Sequence, residues 1–218
     1  MSQAWAGRSP RAVILDRDGT LVDFVRDVEL GVVTPAFHPS QLRLLPGVRE
    51  GLRALVEAGY LLAVATNQPG AAKGQITAEA IARTNRALAE LLADQGLPLA
   101  AFETCLHHPE GGPGGDARLV RPCACRKPSA GMLRTIVERL GLDVAHTWVL
   151  GDTAADFGAA RAAGLRCALV LPLGRCELCP LAGAGDAGQR PEVLADRFDR
   201  AVQALLAAAQ PDGPAAPR

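Results

Sequence analysis

Short apolar runs of strand length alternate along this chain with stretches whose apolar residues recur at helical spacing. Ala12-Val13-Ile14-Leu15 is uninterrupted and predicts a short buried strand. Gly47 to Ala58 sets Val48, Leu52, Leu55 and Val56 on one stripe and stops at Gly59, a helix with a glycine terminator. Tyr60 to Ala65 predicts a second strand, which runs out into the polar Thr66-Asn67-Gln68-Pro69-Gly70. Thr77 suits an N-cap for a helix to about Asp94, with Ile81, Leu88, Leu91 and Leu92 on one face and Gly96 beyond it. Ala101 to Leu106 predicts a third strand, and a Gly-, Pro-, Cys- and His-rich loop follows from His107 to Pro128. Ser129 is the expected cap of a helix that turns Met132, Ile136, Val137 and Leu140 inward and stops at Gly141. Thr147 to Leu150 and Cys167 to Leu171 predict two more strands, on either side of a short helix from Asp156 to Ala163 closed by Gly164. A last helix is expected over about Pro191 to Ala208.

Strands that alternate with helices predict a parallel sheet, an α/β fold of Rossmann-like type with helices on both faces. At 218 residues the chain suits one such domain. The expected layout is a domain over 1–190, a C-terminal helix over 191–209 packed on it, and a disordered Pro/Ala tail over 210–218. Lys+Arg and Asp+Glu both total 23, and aromatics are scarce, so neither charge nor stacking surface points to nucleic acid. No apolar run approaches the length of a membrane span, and no signal-like segment opens the chain; a cytoplasmic protein is expected. In that setting six cysteines read as metal ligands or free thiols before disulfides. No long exposed apolar helix demands a partner, so a monomer is the expectation.

The first strand runs into Asp16-Arg17-Asp18-Gly19-Thr20. Two carboxylates at i and i+2 suit a nucleophile and a general acid/base on one phosphoryl group, and Gly19 lets the backbone turn so that amides face phosphate oxygens. Alone, such a pair is as well explained by a solvated turn. Asp16, Thr66 and Asp152, however, each follow a predicted strand, and in open parallel sheets that edge binds ligands.

Asp16-Arg17-Asp18-Gly19-Thr20, Thr66-Asn67-Gln68, Arg126-Lys127-Pro128 and Gly151-Asp152-Thr153-Ala154-Ala155-Asp156 occur in this order. Together they resemble the four motifs of haloacid dehalogenase superfamily phosphatases, over roughly residues 12 to 172. The DRDGT form of the first motif is similar to the histidinol-phosphate and heptose-bisphosphate phosphatase branch. The resemblance implies that Asp16 attacks phosphorus and that Asp18 protonates the leaving alkoxide and then activates water. It implies a Mg²⁺ ion on the Asp16 side chain, the Asp18 backbone carbonyl and the Asp152 side chain. Gly19, Thr20, Thr66, Asn67 and Lys127 would hold phosphoryl oxygens, and Asp156 would orient Lys127 or metal-bound water from just outside the ion's ligands.

Cys105-Leu106-His107 and Cys123-Ala124-Cys125 offer three thiols and an imidazole, a donor set for closed tetrahedral Zn²⁺, at spacings tighter than the usual finger. The same branch has a zinc loop of this pattern, which implies Cys105, His107, Cys123 and Cys125 as ligands of structural zinc and His108 as a non-ligand. The loop over 105–126 reads as too poor in apolar residues to order itself by burial. Zinc two residues from Lys127 would position Lys127 and Arg126, and Arg126 would then reach a second anionic group of the substrate.

Cys167 is expected in the core, Cys176 and Cys179 as unligated thiols, and His38 as a surface or packing residue. The Asp23–Pro46 stretch is longer than a short flap and is expected to shape substrate entry. No segment is long enough for a large cap domain. The substrate is expected to be a small phosphorylated metabolite. The resemblance implies D-glycero-D-manno-heptose 1,7-bisphosphate cleaved at its 7-phosphate, with histidinol phosphate or another sugar or nucleotide phosphate as rivals. From other classes the rivals are a zinc-stabilised binding domain without catalysis and a C-x-x-C redox protein.

Overall fold

The structure, a computed structural model, describes residues 9–171 and 190–209; Cys176, Cys179 and the tail expected over 210–218 lie outside them. The first strand, Ala12–Leu15 (β1), is buried on both faces. Val13 and Leu15 enter one core and Ala12 and Ile14 the other, which is why the run is continuously apolar. The helix Val48–Glu57 (α1) presents Val48, Gly51, Leu52 and Leu55 inward, while Val56 is on the exposed side of that turn. Leu61–Asn67 (β4) pairs parallel with β1. Thr77 Oγ accepts from the Ala80 N–H at 3.2 Å and caps Ala78–Ala93 (α2). Leu99–Cys105 (β5), Gly131–Leu140 (α3), Trp148–Gly151 (β6), Ala154–Ala163 (α4) and Arg166–Val170 (β7) complete the alternation.

Two expectations are corrected, and one stretch without a predicted element proves to be structured. Ser129 does not cap α3: its N–H closes a tight turn on the Arg126 carbonyl, and Ala130 takes the cap position without a side-chain hydrogen bond. The stretch expected as one C-terminal helix over 191–209 begins as a strand, Val193–Ala195 (β8), parallel to β7 at the sheet edge; the helix, Phe198–Ala208 (α5), starts only after extended Arg197. No element is predicted for the 23–46 stretch. It forms a small antiparallel hairpin, Val25–Asp27 (β2) with Val32–Thr34 (β3), followed by a short turn of 3₁₀ helix at Pro39–Gln41.

The six-stranded sheet runs β5-β4-β1-β6-β7-β8, all parallel. Helices α1, α2 and α5 supply one core cluster with Val13 and Leu15; α3 and α4 supply the other with Ala12 and Ile14. After β1 the chain goes first to one side (β4, β5) and then to the other (β6, β7), so β1 marks the switch point where a crevice opens at the carboxyl ends. Leu15 is in register with Val64 and with Leu150. The residues just beyond therefore emerge together: Asp16, Thr66 and Asp152. No helix of the described residues is long and apolar enough to cross a membrane.

Candidate active site

Asp16 leaves β1 with its N–H on the Leu150 carbonyl at 2.9 Å, which fixes the backbone where the carboxylate projects. Lys127 reaches in from the far side of the 107–128 loop. Its Nζ donates to Asp16 Oδ1 at 2.6 Å, to Asp156 Oδ1 at 2.6 Å and to the Ala65 carbonyl at 2.7 Å. All three donor positions of the ammonium are thus filled. Burial opposes the Lys127 charge, but Asp156 and Asp16 outweigh it and hold its pKa above the ordinary lysine value.

Asp156 sits in the first turn of α4, where its Oδ2 accepts from both the N–H and the hydroxyl of Thr153, at 3.1 and 2.6 Å. Each of its oxygens is therefore engaged by protein, as suits a residue that orients Lys127. Asp152 differs: Oδ1 takes one hydrogen bond from the Thr20 hydroxyl at 3.2 Å. Carboxylate oxygens of Asp16, Asp152 and Asp156 lie within 4.8 Å of one another. A Cβ added at Gly19, whose φ is +82°, would collide with the Asp152 carboxylate. Glycine is what lets the first motif's turn approach the third strand end so closely. Gly151 likewise makes room for the Asp156 carboxylate.

Four carboxylates are buried here, Asp16, Asp18, Asp152 and Asp156, against two cations, Arg17 and Lys127. Two negative charges are left without a counter-ion, and the chemistry of the donors shows it. Burial, with Asp156 and Asp18 adding to it, pushes Asp16 up to about 6 despite the lowering effect of Lys127. Burial, then Asp16 and Asp156, pushes Asp152 up to about 8. A hard divalent cation with oxygen ligands matches this deficit in sign, size and donor type.

The other expected residues are placed as follows. Thr66 Oγ accepts from Gln68 Nε2 at 3.0 Å, which leaves its own hydrogen to donate. The Asn67 amide clamps the Lys127 backbone, donating to its carbonyl at 3.0 Å and accepting from its N–H at 3.1 Å. The Gly19 N–H is taken by the Val22 carbonyl at 2.8 Å, so this amide serves the turn. Arg126 is half-buried and donates to the His107 carbonyl at 3.3 Å. Burial, then Lys73 and Arg126, hold His108 below its ordinary value.

Cys105 Sγ lies 3.6 Å from Cys123 Sγ and 3.2 Å from Cys125 Sγ, and Cys125 Sγ is 3.3 Å from Cys123 Sγ. His107 Nδ1 is 3.7 Å from Cys105 Sγ and 3.2 Å from Cys125 Sγ. A tetrahedral zinc with sulfur bonds of about 2.3 Å has ligand edges only slightly longer than these. The sulfurs are too far apart for a disulfide. The donor set fits zinc. His108 is turned away: its Nδ1 accepts from the N–H groups of Glu110 and Gly111. The loop is also less bare than expected, because Leu119 and Val120 fall within it. Val120 covers Gly111, and the His108 and Leu119–Arg121 backbones exchange hydrogen bonds. Cys167 is buried on β7, as expected of a core thiol, and exposed His38 caps the Pro39–Gln41 turn.

Sequence reasoning passed over three residues. Arg17 is 1 % exposed and forks onto Asp18, with Nε to Oδ2 and Nη2 to Oδ1 at 3.0 Å each. Gln68 Nε2 donates to the same Asp18 Oδ2 at 2.5 Å. Asn85, on α2, accepts from Arg17 Nη1 at 2.6 Å. Arg17 and Gln68 stand inside the motifs but carry no role there, and nothing in the sequence marks Asn85.

The HAD-hydrolase-like family matches residues 124–201. A D-glycero-beta-D-manno-heptose-1,7-bisphosphate 7-phosphatase of Yersinia pestis is 33% identical over 180 residues, 83% of this chain and 88% of that protein. The phosphatase of the same name from Escherichia coli K12 is 32% identical over 168 residues, 77% of this chain and 82% of its own length. A crystal structure of D,D-heptose 1,7-bisphosphate phosphatase from B. bronchiseptica, complexed with magnesium and phosphate, superposes with a TM-score of 0.69 at 29% identity; the match covers 90% of this chain and 98% of that one. Sheet order, motif placement and similarity along most of both chains agree: this protein belongs to the haloacid dehalogenase-like phosphatases, in the family of the D-glycero-beta-D-manno-heptose-1,7-bisphosphate 7-phosphatases.

Proposed function

We propose that this chain hydrolyses D-glycero-D-manno-heptose 1,7-bisphosphate at its 7-phosphate. The observation that carries the chemistry is the Lys127 ammonium held between Asp16 and Asp156 beside Asp152, at the switch point of the sheet. The substrate is that of the relatives named above.

Asp16 is the nucleophile. Its carboxylate oxygen bonds to phosphorus as the bond to the sugar oxygen breaks, and Asp18 gives that oxygen its proton. Asp18 then takes a proton from the water that cleaves the aspartyl-phosphate, so the acid is restored. Thr66 donates its free hydroxyl hydrogen to a phosphoryl oxygen, and Lys127 turns the hydrogen it holds on Asp16 to another, as negative charge spreads over them. Asn67 keeps Lys127 in place through its backbone, and Gly19 and Thr20 shape the turn against Asp152. Arg126 meets the second phosphate. Asp16, Asp152 and the Asp18 carbonyl would hold Mg²⁺, which neutralises the excess carboxylate charge and lets a dianionic substrate enter. Cys105, His107, Cys123 and Cys125 would hold Zn²⁺ as a structural clamp on the loop that delivers Arg126 and Lys127.

The test is phosphate release with Mg²⁺ from the two heptose bisphosphate anomers and from histidinol phosphate at matched concentrations. A clear preference in kcat/KM for a heptose anomer is expected. Preference for histidinol phosphate contradicts the substrate, and release from none of them, aryl phosphates included, contradicts the enzyme.

A further inference from the structure

Arg17 is as deeply buried as any charged residue of the site, and neither the proposed chemistry nor the metal sites use it. Its guanidinium makes four hydrogen bonds. Nε and Nη2 hold the two oxygens of Asp18, Nη1 donates to Asn85 Oδ1 at 2.6 Å, and Nη2 also donates to the Ala36 carbonyl at 3.1 Å. Each anchor is held in turn. Asn85 Nδ2 donates to Thr104 Oγ on β5 at 3.0 Å, and neighbouring Thr84 donates from α2 to the Phe37 carbonyl at 3.0 Å. On the other side Gln68 gives one hydrogen to Asp18 and one to Thr66.

A buried pair of this kind adds little net stability, because desolvating both ions offsets their attraction. What a planar fork does add is direction: two parallel hydrogen bonds fix the plane of a carboxylate, whereas one bond from Gln68 leaves it free to rotate. Asp18 is the group whose direction matters, since proton transfer needs the donor oxygen within hydrogen-bond reach of the departing oxygen.

We propose that Arg17 is the positioning residue of the acid/base Asp18, and that Asn85 and the Ala36 carbonyl hold the fork in place. The 23–46 stretch then bears on catalysis directly, since its Ala36–Phe37 segment is part of the anchor. The inference rests on the reading of Asp18 as acid/base.

The experiment compares kcat/KM on heptose bisphosphate with kcat/KM on 4-nitrophenyl phosphate. Both report the step in which the ester bond breaks. An alkoxide needs a proton in order to leave; a nitrophenolate does not. Arg17→Lys keeps the charge and loses the fork, and Asn85→Ala keeps Arg17 and loses its anchor. Both are expected to lose at least about tenfold more on the sugar phosphate than on the aryl phosphate, a modest part of what general acid catalysis supplies. Should Arg17→Lys not fold, Asn85→Ala reads the same ratio. Equal losses on both substrates would overturn the inference and make Arg17 a structural residue. Asp18→Asn is the control: if it too loses equally on both substrates, the acid/base reading of Asp18 has failed, which is a separate result.

Discussion

Lys127 and its acidic neighbours show how a site can be assembled against its own electrostatics. Asp16 and Asp152 titrate above the ordinary carboxylate value of 3.8, at about 6 and about 8, because burial and mutual repulsion penalise their charges. A carboxyl whose folded pKa is raised binds protons more tightly in the native state. It therefore adds stability while protonated and loses that contribution as pH rises from 3.8 through its folded value. Metal-free protein is thus expected to lose thermal stability as pH climbs through the window between 3.8 and about 8, and saturating Mg²⁺ to reduce the loss. Differential scanning fluorimetry across that window with and without Mg²⁺ checks this; a metal-free Tm that rises with pH would contradict it. At this scale Asp16, Asp18, Lys127 and Asp152 were legible, because motif order and strand ends locate them. Arg17, Gln68 and Asn85 were not, because a buried Arg or Asn on an amphipathic stretch looks like any solvated one until the tertiary partners are known.

Among the elements, the loop between β5 and α3 carries the most. It spans the distance from Cys105 to Lys127, and its two ends meet at the Cys/His cluster. If zinc binds there as proposed, replacing one donor opens the clamp. Cys125→Ser is expected to lower bound zinc from about one ion per chain to well below it, and to reduce activity by tenfold or more as Lys127 loses its tether. Metal analysis beside a phosphate-release assay measures both, and a variant with full zinc or full turnover would contradict the clamp. Elements with strong periodicity were readable: β1, β4, α1, α2 and the glycine stop of α3 all appear within a residue or two. The elements missed were those that depend on partners. β8 is three residues at a sheet edge, and the β2–β3 hairpin leaves Val28, Leu30 and Val33 exposed, so neither shows the burial pattern that marks a strand. Ser129 has the chemistry of a cap, but the Arg126–Ser129 turn claims it.

For the whole molecule, the sheet order is what brings distant motifs to one place. Alternation predicted a parallel sheet; which strands neighbour β1 came only from the structure, since periodicity carries no pairing information. With β4 and β6 on either side of β1, polar groups 50 and 136 residues beyond Asp16 reach one crevice, and the described residues hold no large cap over it. The central claim, however, is chemical: Asp16 becomes covalently phosphorylated. The most direct measurement is rapid acid quench of a single turnover with ³²P-labelled substrate, followed by counting of hydroxylamine-labile label on the protein. The account predicts transient label on the peptide that contains Asp16, with no label and a loss of turnover of roughly 10³-fold or more in Asp16→Asn. Asp16→Asn turning over at the wild-type rate would contradict it.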